Sequence, residues 1–447
     1  MKKIISTLLS LVLVIGMLPI MASADEVTPA WDGTAAESFA GGAGTKSDPW
    51  QIETAAQLKL ASDKVNAKNG AKYFILMNDI DYENQQWVPM GHCNSGNSAP
   101  WFSGEFNGNN HVVRNLKIDY SYDDYATVSG LPVYTYCGFF GLVIDAKITN
   151  LGIENLQITV KNPGGTTNGI SSGNYRAAYI GGFAGALRGS TTVSGCYIKN
   201  SSVRQIERWN GETNGIGGFV GFVQPTAGSF NVSDCYVYNV EYCSAVQRVA
   251  AGFVAHFTQS GGNFTNCYVA DYTANYSTDA STPSTTYGFG CTGKDSNKPE
   301  SAVNCYSTLT SGKGTHSSPA TYSTAREIGV AGASLSTIDT IFTNLANWQD
   351  GKYINNGFPA LAWEKVPIEV KDFADGAVTL EVNKAIDGAK VYVAAYDGTT
   401  GRLISADVAD VATTVPVNVT TTGATIVKVF VWDANLNPVA ASFSKPL

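Results

Sequence analysis

The sequence predicts an all-β protein: a β-helix of stacked coils with an N-terminal helical cap, followed by a small β-sandwich. Three observations lead to this fold class. An apolar motif recurs six times through the middle of the chain, and a Gly-Phe motif recurs between its copies. The composition includes 46 glycines and 22 tyrosines, and only 15% of the 447 residues are charged. A repeat of this period in such a composition is typical of a β solenoid.

The first 24 residues have the pattern of an export signal. Lys2 and Lys3 precede an apolar run over 4–20, and the small-residue sequence Ala22-Ser23-Ala24 predicts cleavage before Asp25. No second long apolar run follows. The mature chain is therefore predicted to lack a transmembrane segment and to be secreted or associated with the cell surface. The formal net charge of −8 argues against nucleic acid and anionic membranes as partners, since both select lysine and arginine clusters.

Two segments carry helical signals. Thr54 is a suitable N-cap for a helix over 55–68, which places Leu58, Ala61 and Val65 on one side. We expect this helix to cover the N-terminal end of the coil stack, because an open coil exposes its core and a sheet edge. A second short helix, within 335–348, is expected as a cap near the other end.

The repeated motif places leucine or cysteine at its centre and, two positions later, an aliphatic residue in the first five copies and Ser307 in the sixth, degraded copy. Both positions share one face of a strand, so both are predicted to point into the coil interior. The residue before the centre is Asn, Asp or Gly, which tolerate positive φ and so indicate a corner of the coil. The corner residues are Asn115, Asn150, Gly195, Asp234, Asn266 and Asn304.

The cysteines of the motif are predicted to be core residues. The centre is Leu116 and Leu151 in the first two copies, then Cys196, Cys235, Cys267 and Cys305. A disulfide or metal ligand would not be replaced by leucine, whereas free cysteine behaves as a small hydrophobe. Pairing among Cys93, Cys137, Cys243 and Cys291, which lie outside this position, is left open.

The Gly-Phe motif also has a structural interpretation. We expect its glycines to let neighbouring coils approach closely and its phenylalanines to stack in the core. A phosphate-binding loop is not favoured, because neither a helix start nor a lysine follows. The phenylalanines are Phe139, Phe183, Phe219, Phe253 and Phe289.

These alternating G-F-x-G and x-N-C-Y-V segments resemble the GLUG-motif repeats of secreted and surface bacterial proteins. The opening at 41–62, the FSGEFNGNNHVVRNLKI segment and the closing NNGFPALAWE segment resemble the usual flanks of such repeats. The resemblance covers roughly 31–363 and implies a right-handed parallel β-helix. It also implies an adhesive or accessory extracellular role, although such repeats flank IgA-specific metallopeptidases as well.

The pattern changes after Trp363. Alternating strands at 378–382, 389–396 and 426–433, separated by Asp-Gly turns, predict a small β-sandwich of immunoglobulin or fibronectin type. The segment VKVFVWDANLNPV resembles modules appended to exported Gram-positive proteins. The predicted organisation is a signal peptide at 1–24, a GLUG-type β-helix domain with caps at 25–365, and this sandwich at 366–447.

Candidate binding residues lie in the long insertions between repeats. Tyrosines beside acidic groups, and tryptophan beside arginine, suit sugar rings and also anchor protein contacts. Asp123 and Asp124 are in addition the best acidic pair for glycoside chemistry, although solvated loop carboxylates are the simpler interpretation. The candidate ligand-binding residues are Tyr122, Asp123, Asp124, Tyr125, Arg208 and Trp209.

No catalytic signature is present, since the four histidines form no HExxH pair and no GxSxG occurs. We therefore expect a non-catalytic binding or adhesive protein that recognises a glycan or a host or matrix protein, with no cofactor and no metal. Two alternatives stay open. One is a polysaccharide lyase or glycosidase on the β-helix, and the other is a structural surface-layer component.

Overall fold

The structure is a computed structural model, and all elements below belong to one unit, residues 33–447. The residues it describes are 31–67, 72–92, 100–120, 135–160, 178–205, 215–244, 249–276, 285–292, 297–309 and 327–447.

A short helix lies between the first strands of the coil stack. Thr54 accepts a hydrogen bond from the Gln57 amide at 3.3 Å, which satisfies one free N–H of the first turn. Leu58 and Ala61 are fully buried, as the pattern predicted, and the helix ends at Asn66. The elements of this part are β1 (Trp50–Ile52), α1 (Ala55–Asn66), β2 (Tyr73–Leu76), β3 (Ile80–Asp81), β4 (Glu105–Arg114) and β5 (Lys117–Tyr120).

Five successive turns of the chain then repeat one order of strands. The first contains β6 (Thr135–Cys137), β7 (Phe140–Ile144), β8 (Lys147–Glu154) and β9 (Gln157–Val160). The second contains β10 (Ala178–Gly181), β11 (Ala184–Gly189), β12 (Thr192–Ser194) and β13 (Tyr197–Gln205). The third contains β14 (Gly215–Gly217), β15 (Val220–Pro225) and β16 (Asn231–Ser244). The last two contain β17 (Val249–Ala251), β18 (Val254–Phe257), β19 (Asn263–Tyr276), β20 (Thr285–Tyr287), β21 (Gly290–Thr292) and β22 (Ser301–Ser307).

Each turn contributes to three sheets, and the strands of neighbouring turns pair in parallel. Sheet A has twelve strands, among them β4, β8, β13, β16, β19 and β22. The coils supply β7, β11, β15, β18 and β21 to sheet B, which a sixth, antiparallel strand at Glu327–Ile328 completes, and β6, β10, β14, β17 and β20 to sheet C. Parallel pairing of equivalent strands on three sides defines a β-helix-like stack of coils, so this part of the predicted fold class is confirmed.

The named strands that follow the coils pair in antiparallel fashion. This part of the chain contains β23 (Glu327–Ile328), α2 (Leu335–Phe342), β24 (Trp348–Gln349) and β25 (Ala360–Leu361). Two further sheets follow and share one hydrophobic core, which includes Val391, Val393, Val427 and Val429. They are formed by β26 (Ile368–Ala374), β27 (Ala377–Val382), β28 (Lys390–Asp397), β29 (Arg402–Asp410), β30 (Thr414–Pro416), β31 (Ile426–Trp432) and β32 (Phe443–Pro446).

From Leu151 onward the motif centres lie one above another from coil to coil, and this column of residues is part of the core. Successive strand pairs place Leu151 beside Cys196 and then align Cys235, Cys267 and Cys305. The four thiols are free and at most 2% exposed. Cys137 and Cys291 are also free and buried, whereas Cys93 lies outside the described residues.

The assignment of Leu116 to this column is wrong. The residue of β4 that pairs with Leu151 is His111, after a register shift beyond Asn107. Asn109 and Asn110 both have positive φ there, at 51° and 64°, so β4 contains extra residues at its corner. Lys117 pairs with Gln157, so Leu116 is the neighbour of Leu156. The sequence alone could not separate the two registers, because an N-L-x-I pattern follows at 155–158 as well.

The predicted corners are confirmed, and so is the aromatic ladder from Phe183 to Phe289; Phe139 stacks instead on Trp87 at 5.0 Å, and Phe140 is the ring beside Phe183. All six predicted corner residues have φ between 49° and 64°, with Asn115 at a second corner of sheet A beside Asn155. Asn304 donates to Asn266 at 2.9 Å and Asn266 donates to Asp234 at 3.1 Å, so amides bond from coil to coil. Ring centroids in the Phe183, Phe219, Phe253, Phe289 stack are 4.4, 4.5 and 4.8 Å apart.

Candidate functional site

The six candidate ligand-binding residues, Tyr122, Asp123, Asp124, Tyr125, Arg208 and Trp209, all lie outside the described residues. The strands that precede them are described. β5 ends at Tyr120 and β13 ends at Gln205, and both are paired with β9. Tyr120 and Gln205 both pair with Val160 of β9, so β5 and β13 end level with each other in sheet A.

A buried charge network lies on the outer face of sheet A. The Lys199 ammonium is 3.1 Å from a carboxylate oxygen of Glu364 and 3.3 Å from one of Glu154. These side chains are 7%, 3% and 6% exposed, in that order. Tyr236 donates to Glu364 at 2.8 Å, and Tyr197 donates to Glu154 at 3.1 Å. Lys384 contacts the other oxygen of Glu154 at 3.1 Å.

The network joins three parts of the chain. Glu154 on β8 and Lys199 on β13 are direct cross-strand neighbours. Glu364 follows β25, and Lys384 follows β27. Sequence reasoning missed the network, although a signal existed. Glu154 and Lys199 each stand three residues after the motif centre in successive copies, so aligned copies place opposite charges side by side.

The protonation states of the network follow from burial and from the neighbouring charges. Burial opposes ionisation of Glu154, but Lys199 and Lys384 outweigh it and hold the pKa of Glu154 at about 2. Burial likewise opposes the charge of Lys199, yet Glu364 and Glu154 raise its pKa above the ordinary value. Burial raises the pKa of Glu364. At neutral pH Lys199 is thus protonated and Glu154 ionised, an arrangement suited to holding the three segments together rather than to exchanging protons.

A segment that we call the strap, residues 335–364, covers the outer face of sheet A. Tyr197, Tyr236 and Tyr268 stack there with centroids 5.0 Å apart. Phe342 of α2 meets Tyr268 edge-on at 5.3 Å, and Trp363 stacks on Tyr197 at 5.5 Å. The helix predicted within 335–348 thus packs against this tyrosine face with Ile338 and Phe342.

A pocket of about 290 Å³ opens beside the end of the strap. Its walls come from β4, from the segment that follows the strap and from the turn after β27. Asp79 in this pocket contacts His111 at 3.1 Å and Arg114 at 3.0 Å. We call this cavity the junction pocket.

A larger, open groove of about 650 Å³ crosses several coils on the outer face of sheet A. Asn155 donates to Asn115 at 3.1 Å, and Asn239 donates to Asn200 at 2.8 Å. The described lining is polar throughout and contains no aromatic residue: Asn84, Asn115, Asn155, Gln157, Thr159, Asn200, Ser201, Ser202, Arg204, Asn239 and Glu241. We call this surface the amide groove.

Within the part of the chain that the structure describes, no cluster of three or more histidine, cysteine, aspartate or glutamate residues could hold a metal ion. The same residues include no helix that is long and apolar enough to span a membrane.

The charge network predicts a pH dependence of stability. The folded pKa of Glu154, about 2, lies below its ordinary value of 4.5. Its stabilising contribution is therefore present above pH 4.5 and is lost as the pH falls from 4.5 towards 2. The raised pKa of Glu364 acts in the opposite direction and above pH 4.5, so the two effects fall in different windows.

We expect the free energy of unfolding, measured in urea at pH 3 to 6, to fall less steeply below pH 4.5 in Glu154→Gln than in the native chain. Equal slopes in the two proteins would contradict the assigned pKa.

No family model matches the chain. A stretch of 171 residues, 37% of the chain, is 29% identical to Halomucin from Haloquadratum walsbyi and covers 2% of that protein. A stretch of 145 residues, 31% of the chain, is 30% identical to a protein named as a Gly-rich membrane protein from Evansella cellulosilytica and covers 14% of it. The matches thus span a small part of the length of these curated relatives.

Proposed function

We propose that the protein is a non-catalytic, secreted or cell-surface protein that binds an extracellular glycan through the amide groove. The observation that carries this proposal is the groove itself, which presents amides and hydroxyls over several coils. The names of the two matched relatives, a halomucin and a membrane protein, are in keeping with a place at the cell surface.

The proposal includes the finer features of the fold. The coils are taken as a right-handed, GLUG-type β-helix at 25–365, after a signal peptide at 1–24. Helix α1 is taken as its N-terminal cap and α2 as a second cap. The two antiparallel sheets at 366–447 are taken as a β-sandwich of immunoglobulin or fibronectin type. Their shared hydrophobic core supports this assignment.

The chemistry of the groove favours a glycan over a host or matrix protein. Equivalent side chains on neighbouring strands recur about every 4.8 Å. Amides such as Asn155, Asn200 and Asn239 therefore offer donors and acceptors at a spacing close to one sugar unit of an extended polysaccharide. Protein interfaces centre instead on buried aromatic and aliphatic anchors, which the described lining lacks.

The two insertions that carry the candidate ligand-binding residues remain part of the proposal. The segments with Tyr122, Asp123, Asp124, Tyr125, Arg208 and Trp209 follow β5 and β13, whose neighbours form the groove. They are kept as candidate contacts because tyrosine and tryptophan rings suit stacking on sugar rings.

The test is affinity electrophoresis of the purified protein through gels with soluble polysaccharides, preceded by a glycan array. We expect at least one polysaccharide to retard the native protein. Ser202→Arg places a long side chain over the groove and should abolish the retardation. The matched control is Thr421→Arg, at an exposed position of the C-terminal module, which should behave as the native chain.

The proposal fails if no polysaccharide retards the protein, or if Ser202→Arg is retarded as strongly as the native chain. The same incubations test the enzymatic alternative, since a lyase or glycosidase would release unsaturated products or new reducing ends.

A further inference from the structure

The described lining of the junction pocket has four permanent cations and three carboxylates, and one of the cations, Lys365, pairs with Glu381 outside the pocket at 3.6 Å. Among the described lining residues, the permanent cations are Arg114, Lys199, Lys365 and Lys384, and the carboxylates are Asp79, Glu154 and Glu364. Lys199 is enclosed between two of these carboxylates. Lys384 contacts Glu154 but keeps 45% of its side chain exposed, so its ammonium retains donors for a ligand.

Arg114 also has unused donor capacity. Its Nη2 donates to Asp79 at 3.0 Å, and its Nε is too deeply buried to reach a ligand. The side chain is 25% exposed, so the remaining N–H groups of its Nη atoms are the donors that a ligand can meet. Arg114 is the cross-strand neighbour of Glu154, so it lies on the same side of the pocket as Lys384. A guanidinium presents its donors as a planar fork that matches a carboxylate. This side of the pocket is therefore suited to a ligand carboxylate.

The remaining walls suit a sugar ring. Trp363 lines the pocket, half-buried, and is held in place by its stacking on Tyr197 and by a 3.2 Å hydrogen bond to the Gly195 carbonyl. The amides of Asn78, Asn110 and Asn383 also line it. A fixed aromatic wall with amides around it offers stacking to a pyranose face and hydrogen bonds to its hydroxyls.

We propose that the junction pocket binds a carboxylated sugar, with the carboxylate against Arg114 and Lys384 and the ring against Trp363. A volume of about 290 Å³ accommodates a single sugar unit. Among the described lining residues the pocket shares only Asn200 with the amide groove. The inference therefore does not depend on glycan binding in the groove.

The experiment is calorimetric titration of the full chain with trigalacturonic acid and, in parallel, with its methyl ester, which keeps the rings and removes the charge. We expect the acid to bind at least about tenfold more tightly than the ester, because charge-assisted hydrogen bonds are lost in the ester. Arg114→Lys keeps the charge but removes the fork, and Lys384→Gln removes a charge. Each should weaken binding of the acid by about 10- to 100-fold.

Two control variants make the result specific. Lys428→Gln alters a lysine that lies over Tyr396 in the C-terminal sheet and should keep the native affinity. Ser202→Arg, which blocks the amide groove, should keep it too, so failure of one site is distinguishable from failure of the other. Unfolding midpoints of all variants check that each one is folded.

The inference is overturned if the native chain gives no binding heat at millimolar acid, or if acid and ester bind equally. Native affinity in both Arg114→Lys and Lys384→Gln would overturn it as well. Competition by free glutamate as strong as that by trigalacturonic acid would reject a sugar as the ligand.

Discussion

Lys199→Met is expected to destabilise the protein by about 3–5 kcal/mol, because it leaves two buried carboxylates without their shared cation. Glu154 and Glu364 are 6% and 3% exposed at their side chains, so water cannot replace the lost ammonium. Urea unfolding followed by tryptophan fluorescence measures the effect directly, since Trp348 and Trp363 pack on the same face.

Two variants separate the loss of compensation from the loss of packing. Lys384→Met removes a half-exposed cation from Glu154 and should cost no more than about 1 kcal/mol. The triple variant Lys199→Met, Glu154→Gln, Glu364→Gln removes the buried charges together and should recover much of the stability lost in the single variant. If Lys199→Met and Lys384→Met had equal effects, the network would not be the stabilising contact described above.

Gly218→Ala is expected to destabilise by about 3 kcal/mol or more, because the added methyl group would lie against the backbone of the next coil. A Cβ at this position would be 2.1 Å from the carbonyl oxygen of Gly252 and 3.1 Å from Val237. The carbonyl oxygen belongs to the backbone of the next coil, so it cannot move away without shifting that coil. Thermal unfolding by circular dichroism measures the loss, as a lower midpoint.

Gly228→Ala is the matched control. Gly228 has a φ of +76°, but nothing lies within 4 Å of its added Cβ. Only backbone strain of about 1–2 kcal/mol is therefore expected. If Gly228→Ala lowered the midpoint as much as Gly218→Ala, close approach of the coils would not be the reason for the Gly-Phe motif.

The sequence predicts the interior of the coils well because the interior imposes a column of similar residues. Cys235 and Cys267 stand in one column, Phe219 and Phe253 in another, and each recurs at the same position of its motif. The corners are predictable for a related reason, since few residue types adopt positive φ without strain. The error at Leu116 arose where β4 carries extra corner residues, which no motif match reveals.

The outer face was not predictable in the same way. The tyrosine after each cysteine, such as Tyr236 or Tyr268, alternates away from the coil interior and suggests an exposed ring. Both rings are fully buried because the strap covers them. The hydrogen bond between Asn355 of the strap and Tyr268, for example, joins residues 87 positions apart, so no local pattern shows this contact. The charge network and the junction pocket are products of the same long-range docking.

The strap also limits how this chain can change in length. Solenoids gain or lose whole repeats readily, since each repeat contacts only its neighbours. Here the strap is attached at two points. Phe342 contacts Tyr306 on the fifth turn of the coils, and Glu364 contacts Lys199 on the second. One coil inserted between these turns would increase the distance between the two attachments by about 4.8 Å. The length of the strap therefore fixes the number of coils between the two attachments. A coil duplicated between them would be accepted only together with a longer strap.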